Sequence, residues 1–258
     1  MRHAGTGLPP RRRGFGATAA LVAAIFGGIG LVVSLTGLTI QLLPRHFSAT
    51  QQRQILAWEV GKRWRTLPAG ELFPATVRYS LSSTVLADLT NVPLQAARVG
   101  IAPQTSCTAG TDQAAAHVLD AQGCQALLRA SYTDESATYV VTVGVAVLGS
   151  AAQATAAAAA LNQATASPQP GVDAASFAGT PADSFGNGER QLTRSEAAGP
   201  YVIMYAAGYT DGRPRVPIGN DSYAQGEMAA AAQGVQQSVA STLGASPPAP
   251  HCPGTPGC

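Results

Sequence analysis

The sequence predicts an α+β fold: one N-terminal transmembrane helix followed by an antiparallel sheet with helices packed on it. Three observations carry this expectation. Phe15–Leu43 contains no charged residue and is preceded by Arg11-Arg12-Arg13. Beyond it, apolar residues recur alternately with period two and with helical period. Those stretches come as strand pairs separated by helices, the pattern of an antiparallel sheet carrying helices.

A hydrocarbon core about 30 Å thick needs roughly 20 apolar helical residues. Residues 15–43 exceed that length, so the span is expected to tilt or to be trimmed. Arg2, Arg11, Arg12 and Arg13 precede it, and positive charge near a span favours the cytoplasmic side. The expectation is a cytoplasmic basic tail (1–14), an anchor in the lipid bilayer (15–43) and an extracytoplasmic C-terminal part, at the cell membrane. A cleaved signal peptide is the competing reading. Its apolar region would be about 7–15 residues long and end at a small-residue site, and no such site precedes Pro44. Arg12-Arg13-Gly14-Phe15 only loosely echoes a twin-arginine signal.

The formal charge of +2 is unevenly distributed. Four arginines and no acid precede the span, so 12 basic and 14 acidic residues remain from Pro44 onward. The external part is therefore close to neutral and lacks the basic patch of a nucleic-acid binder. Lys62 is the only lysine.

The elements follow in order. Thr50–Leu67 reads as a juxtamembrane amphipathic helix within 44–68, capped by Ser48 or Thr50. Leu56, Val60 and Trp64 share one face, and Glu59 and Arg63 have the spacing of a surface ion pair. Trp58, Lys62, Arg63, Trp64 and Arg65 form a candidate contact for the membrane surface or a partner; the plainer alternative is a packed helix with an ordinary basic C-terminus. An α+β domain is expected over 69–246. Ala75–Ser82 and Leu94–Ala102 read as strands, Pro103–Gly110 as a loop and Asp112–Ala121 as a short helix. Cys124–Tyr132 and Thr138–Leu148 read as a hairpin turning at Thr133–Ser136, with Val141, Val143, Val145 and Val147 on one face. An alanine-rich helix spans 150–166, and Phe177–Gly188 is a loop. Glu189–Glu196 and Tyr201–Tyr209 form a second strand pair. A final helix, capped by Asp221 or Ser222, carries the stripe Met228, Ala232, Val235 and Val239. A Pro/Gly/Cys tail (247–258) closes the chain.

Four cysteines lie beyond the span, and none forms a C-x-x-C pair. In an oxidising compartment an even number reads as disulfides, and three pairings are open. Cys107–Cys124 and Cys252–Cys258 are preferred because each closes a local loop; for the second, free thiols or a link to a partner remain alternatives. The scattered histidines give no zinc pattern, so no metal and no cofactor is expected.

No G-x-S-x-G elbow and no Walker motif is present. Phe185-Gly186-Asn187-Gly188-Glu189 reads as ordinary turn chemistry rather than a phosphate cradle. His117 has no neighbouring nucleophile in sequence. Asp134 and Glu135 are adjacent, so on a strand they point to opposite faces and make a poor acid–base pair. Asp211, Arg213, Arg215 and Asp221 make the densest polar loop, a candidate ligand loop, or else a solvated turn.

The Arg-rich start, the long span, Trp58…Trp64-Arg65-Thr66-Leu67-Pro68-Ala69-Gly70 with Phe73-Pro74, and the paired cysteines together resemble uncharacterised single-pass membrane proteins of high-GC actinomycetes. The layout is also similar to anchored sensor or solute-binding domains of the actinomycete envelope. That resemblance implies an anchored envelope protein and supplies no catalytic residue. The leading expectation is a non-enzymatic structural or interaction domain that binds another envelope protein. An anchored ligand-sensing or solute-binding domain is the alternative, and a hydrolase with a dispersed site comes third.

Overall fold

The computed structural model describes residues 47–81, 93–166, 168–216 and 222–245, with side chains from Gly226 onward in the last segment. The anchor predicted at 15–43, Asp221, and the Cys252 and Cys258 pair lie outside the described residues. Among those described, no helix is long and apolar enough to cross a membrane.

The elements are α1 (Ala49–Thr66), α2 (Ala69–Leu72), β1 (Thr76–Ser80), β2 (Pro93–Thr105), α3 (Gln113–Ala121), β3 (Ala126–Asp134), β4 (Tyr139–Val147), α4 (Ala151–Gln163), β5 (Leu192–Ala198), β6 (Tyr201–Tyr209) and α5 (Ser222–Gly244). The strands form one antiparallel sheet in the order β1-β2-β3-β4-β6-β5. The first four strands therefore meander. The chain then passes β4, lays β5 at the far edge, and returns as β6 between them.

Local chemistry sets the helix starts. Ser48 wins the cap of α1: its Oγ accepts from Gln51 N at 3.3 Å, while Gln51 Oε1 accepts from Ser48 N at 3.0 Å. This reciprocal pair satisfies two otherwise orphaned donors. Asp112 caps α3 through Ala115 N, and Ser150 caps α4 through Gln153 N.

Both faces of the sheet are covered, and the central strands show it. β4 is buried along its whole length, as a near-continuous apolar run predicts when neither face meets water. Val141, Val143, Val145 and Val147 share one face, as expected, and join Ile203, Tyr205 and the α5 stripe of Met228, Ala232, Val235 and Val239. Leu72 and Phe73 of the α2 turn close the same layer. The opposite face of β4 is equally dry. Val140 and Ala146 pack there with Leu119 of α3, Ala154, Ala157 and Leu161 of α4, and Val172 and Phe185 of the connection between α4 and β5.

That connection is tied down by polar contacts. Ser131 Oγ donates to Ala175 O at 2.7 Å, and Ala175 N donates to Thr142 Oγ1 at 3.0 Å. Arg190, 7% exposed, holds Asp112 Oδ2 and Val172 O, both at 3.1 Å. Gly144 makes room for the strap, since a Cβ there would lie 2.6 Å from Val172 Cγ2.

Several sequence expectations shift. β2 runs through Pro103 to Thr105, where a loop was expected, because register shifts between Arg98 and Gly100 and between Ala102 and Thr105 let the strand continue past a residue without a ladder donor. The β3–β4 turn lies later than Thr133–Ser136. The Asp134 carboxylate gathers the main-chain N–H groups of Ser136, Thr138 and Tyr139 at 3.1, 2.8 and 2.6 Å, so the acid organises the turn. Cys107 and Cys124 form a disulfide that joins the segments on either side of α3.

Candidate interaction site

The five residues singled out on α1 divide between two faces. Trp64 packs with Val60 against the α5 layer of the core. Arg63 is not paired with Glu59. Its Nη1 donates to Leu243 O at 2.9 Å and to Thr242 O at 3.2 Å, the last carbonyls of α5. Helix C-termini leave such carbonyls without intrahelical partners, and their partial negative charge attracts a cation. Tyr201 completes the seat of α1: its hydroxyl donates to Val60 O at 2.5 Å, and burial pushes its pKa above the ordinary tyrosine value.

The opposite stripe, Trp58, Lys62 and Arg65, faces outward. Trp58 is 60% exposed. Lys62 Nζ sits 3.4 Å from the centroid of its ring, and Arg65 lies 4.5 Å over the ring of Trp64. Exposed cation–π pairs are worth about 0.5–1 kcal/mol each, so they order the stripe more than they stabilise the fold.

Beside this stripe lies a groove of about 630 Å³. Leu56, Trp58, Val60 and Lys62 form its α1 wall; the β4–α4 corner and the Gly199-Pro200 turn form the rest. Leu148 N donates to Pro200 O at 2.9 Å, which holds the two corners together. Gly199 has φ +58°, and a Cβ there would approach Val60 Cγ1 to 3.1 Å. Glycine therefore suits this position twice, by its left-handed backbone and by the close approach of α1 to the turn. The surface chemistry is contact chemistry: an apolar concavity rimmed by an indole and an ammonium suits an apolar side chain next to an anionic group.

The other sequence-singled residues are placed differently. Asp211 and Arg213 satisfy one another through Nε–Oδ1 at 3.0 Å and Nη2–Oδ2 at 2.5 Å, and Arg213 stacks 4.3 Å over Tyr209. The guanidinium hydrogen bond holds the Asp211 carboxyl below its ordinary pKa. Arg215 N donates to Gly188 O, so this stretch is tied to the 186–189 turn. That turn uses Glu189 Oε2 to accept from Gly186 N at 2.9 Å, which is turn closure and not a phosphate cradle. His117 is exposed on α3. Among the described residues no three metal-type side chains gather.

Sequence reasoning missed the groove because its walls come from three distant segments. The glycine and proline at 199–200 signalled a turn, but nothing local signalled that α1 would lie on it. Comparison with protein-family models, curated proteins and solved structures gives no match.

Proposed function

We propose that the chain is a membrane-anchored interaction protein of the cell envelope. Residues 15–43 hold it in the bilayer with the N-terminus cytoplasmic, and the α+β domain works outside without catalysis. The observation that supports this reading is the exposed Trp58–Lys62–Arg65 stripe beside the apolar groove on α1. Aromatic and cationic residues beside an apolar groove are the residue types in which binding hot spots are enriched. The ligand-sensing alternative lacks comparable support, since Asp211 and Arg213 already satisfy each other.

The test is site-specific photocrosslinking of the full-length chain in its native membrane, with the photoreactive residue at Trp58 or, as control, at His117. A discrete protein adduct from position 58 and none from 117 is the expected result. Adducts to lipid alone from position 58 would make the stripe a bilayer contact. Equal labelling from both positions would remove the site.

A further inference from the structure

The two edges of the sheet end differently. At the β5 edge, Asn162 of α4 docks on the strand as a neighbouring chain would: its Nδ2 donates to Ser195 O at 2.7 Å, and its Oδ1 accepts from Ser195 N at 3.1 Å. Thr193 Oγ1 donates to Gln169 O at 2.7 Å beside it. At its centre this edge is capped by a side chain that occupies the place of a neighbouring strand.

The β1 edge is open. Arg98 N donates to Ala75 O at 2.9 Å, which fixes the parity of the β1–β2 ladder. Hydrogen-bonded and non-bonded pairs alternate in an antiparallel ladder. The main-chain groups of Val77 and Tyr79 therefore turn toward β2, and those of Thr76, Arg78 and Ser80 turn outward. Among the described residues nothing pairs with them.

A groove of about 1020 Å³ runs along this edge between β1 and α5. Its helix wall is Gly226, Ala229, Ala230, Gln233, Gln237 and Ser238, mostly short side chains. At Gly234 the helix closes on the strand, where a Cβ would meet Tyr79 Cβ at 2.4 Å. Strand addition requires an exposed sheet edge, with main-chain bonds for affinity and pockets for alternate side chains; here α5 walls one side of that edge.

We propose that β1 and α5 form a docking groove for an extended segment of a partner protein, which adds to β1 as a further strand and places an acidic side chain beside Arg78. Main-chain bonding to Thr76, Arg78 and Ser80 supplies the pairing. Arg78 supplies the selectivity: it is exposed, it lies at the centre of the outward triplet, and it makes no ion pair among the described residues. Val77 and Tyr79 face α5, so Arg78 lies on the other face. The added strand alternates in the same way. Its acidic residue occupies one position, and the residues on either side of it, facing the short side chains of α5, are small and uncharged.

Two other occupants fit less well. A second copy joined through a two-fold axis would, in the register that pairs all three outward residues, set Arg78 against its own equivalent, and like charges directly opposite repel. The tail beyond Ser246 carries Pro247, Pro248, Pro250, Pro253 and Pro256, which cannot donate to a ladder. The inference stands apart from the anchor and from the α1 groove.

The test is fluorescence anisotropy of the purified full-length chain with labelled nonapeptides of alternating threonine and alanine, carrying Glu, Gln or Lys at the centre. The Glu peptide should bind roughly ten-fold more tightly than the Lys peptide, combining an attractive with a repulsive cross-strand pair, and Arg78→Glu should reverse that ranking. Methylating the strand-facing amides of the Glu peptide should abolish binding. Thr76→Pro removes an outward donor where proline leaves the β1–β2 ladder intact; it should weaken binding at least ten-fold with an unchanged near-UV circular dichroism spectrum. Binding that ignores the central charge, tolerates the methylated amides, or fails for every peptide overturns the proposal. So does a concentration-dependent dimer that Thr76→Pro abolishes, because the edge would then belong to a second copy.

Discussion

Arg63 and Lys62 are neighbours in sequence with opposite tasks. Arg63→Ala strips two carbonyls of α5 of their cationic donor, which should cost about 1.5–3 kcal/mol, the range for hydrogen bonds to charged groups. Lys62→Ala touches only an exposed ring and should stay within about 0.5–1 kcal/mol. Urea denaturation of both variants checks the contrast, and equal costs would contradict the assignment of Arg63 to α5. The Glu59–Arg63 spacing suggested a surface pair because only local neighbours are visible in a sequence; the carbonyls at 242 and 243 are not local. Tyr79 gives a second residue-level prediction. Burial, with Asp134 and Glu227 nearby, pushes its pKa up to about 12. The raised value means that the fold favours the neutral phenol. Its contribution is complete below the ordinary tyrosine pKa of about 10 and is lost as pH rises through about 12. Tyr79→Phe should therefore lose less stability than the parent across that alkaline window, measured by denaturation at stepped pH. Parallel losses would show that Tyr79 is not coupled to folding.

At the scale of elements, the Cys107–Cys124 bridge closes a loop across a sequence separation of 17. Constraining the unfolded chain over such a loop is worth about 3 kcal/mol in the chain-entropy model. The Cys107→Ala/Cys124→Ala variant should lose about that amount, and reduction of the parent should lose the same. A variant as stable as the parent would remove the bridge from the account of stability. Strand and helix order was legible because periodicity is a local property: Val141 to Val147 and Met228 to Val239 announce their faces directly. The second buried face was not. Val140 and Ala146 alternate with the visible valine face, but they could be read as buried only with knowledge that α4 and the 171–186 strap lie over them. Pro103 concealed the end of β2 for the same kind of reason, since a bulge depends on the partner strand.

For the whole molecule, the antiparallel sheet with helices on it was foreseeable from the pairing of strands between helices. The order of its edges was not, because β6 is inserted between β4 and β5, and no periodicity encodes insertion. The candidate sites inherit that limit: Trp58 and Lys62 were visible as a surface stripe, whereas the groove beside them and the open β1 edge exist only after assembly. The compartment is tested at this scale. A reporter that is active only outside the cytoplasm, fused to the C-terminus of the full chain, should be active, and a cytoplasmic reporter at the same place should be silent. The reverse pattern would overturn the orientation argued from Arg2, Arg11, Arg12 and Arg13.

The inserted position of β6 also has a consequence for how the domain comes into being. A chain that emerges N-terminus first can assemble the β1–β4 meander as soon as Val147 is free. β4, the valine-rich strand buried on both faces in the finished domain, then forms the meander's outer rim until Tyr201 onward arrives. During that interval a strand destined for burial on both faces is open to whatever surrounds the nascent polypeptide. Fragments that stop short of Tyr201 inherit this rim permanently and are the species from which aggregation is to be expected.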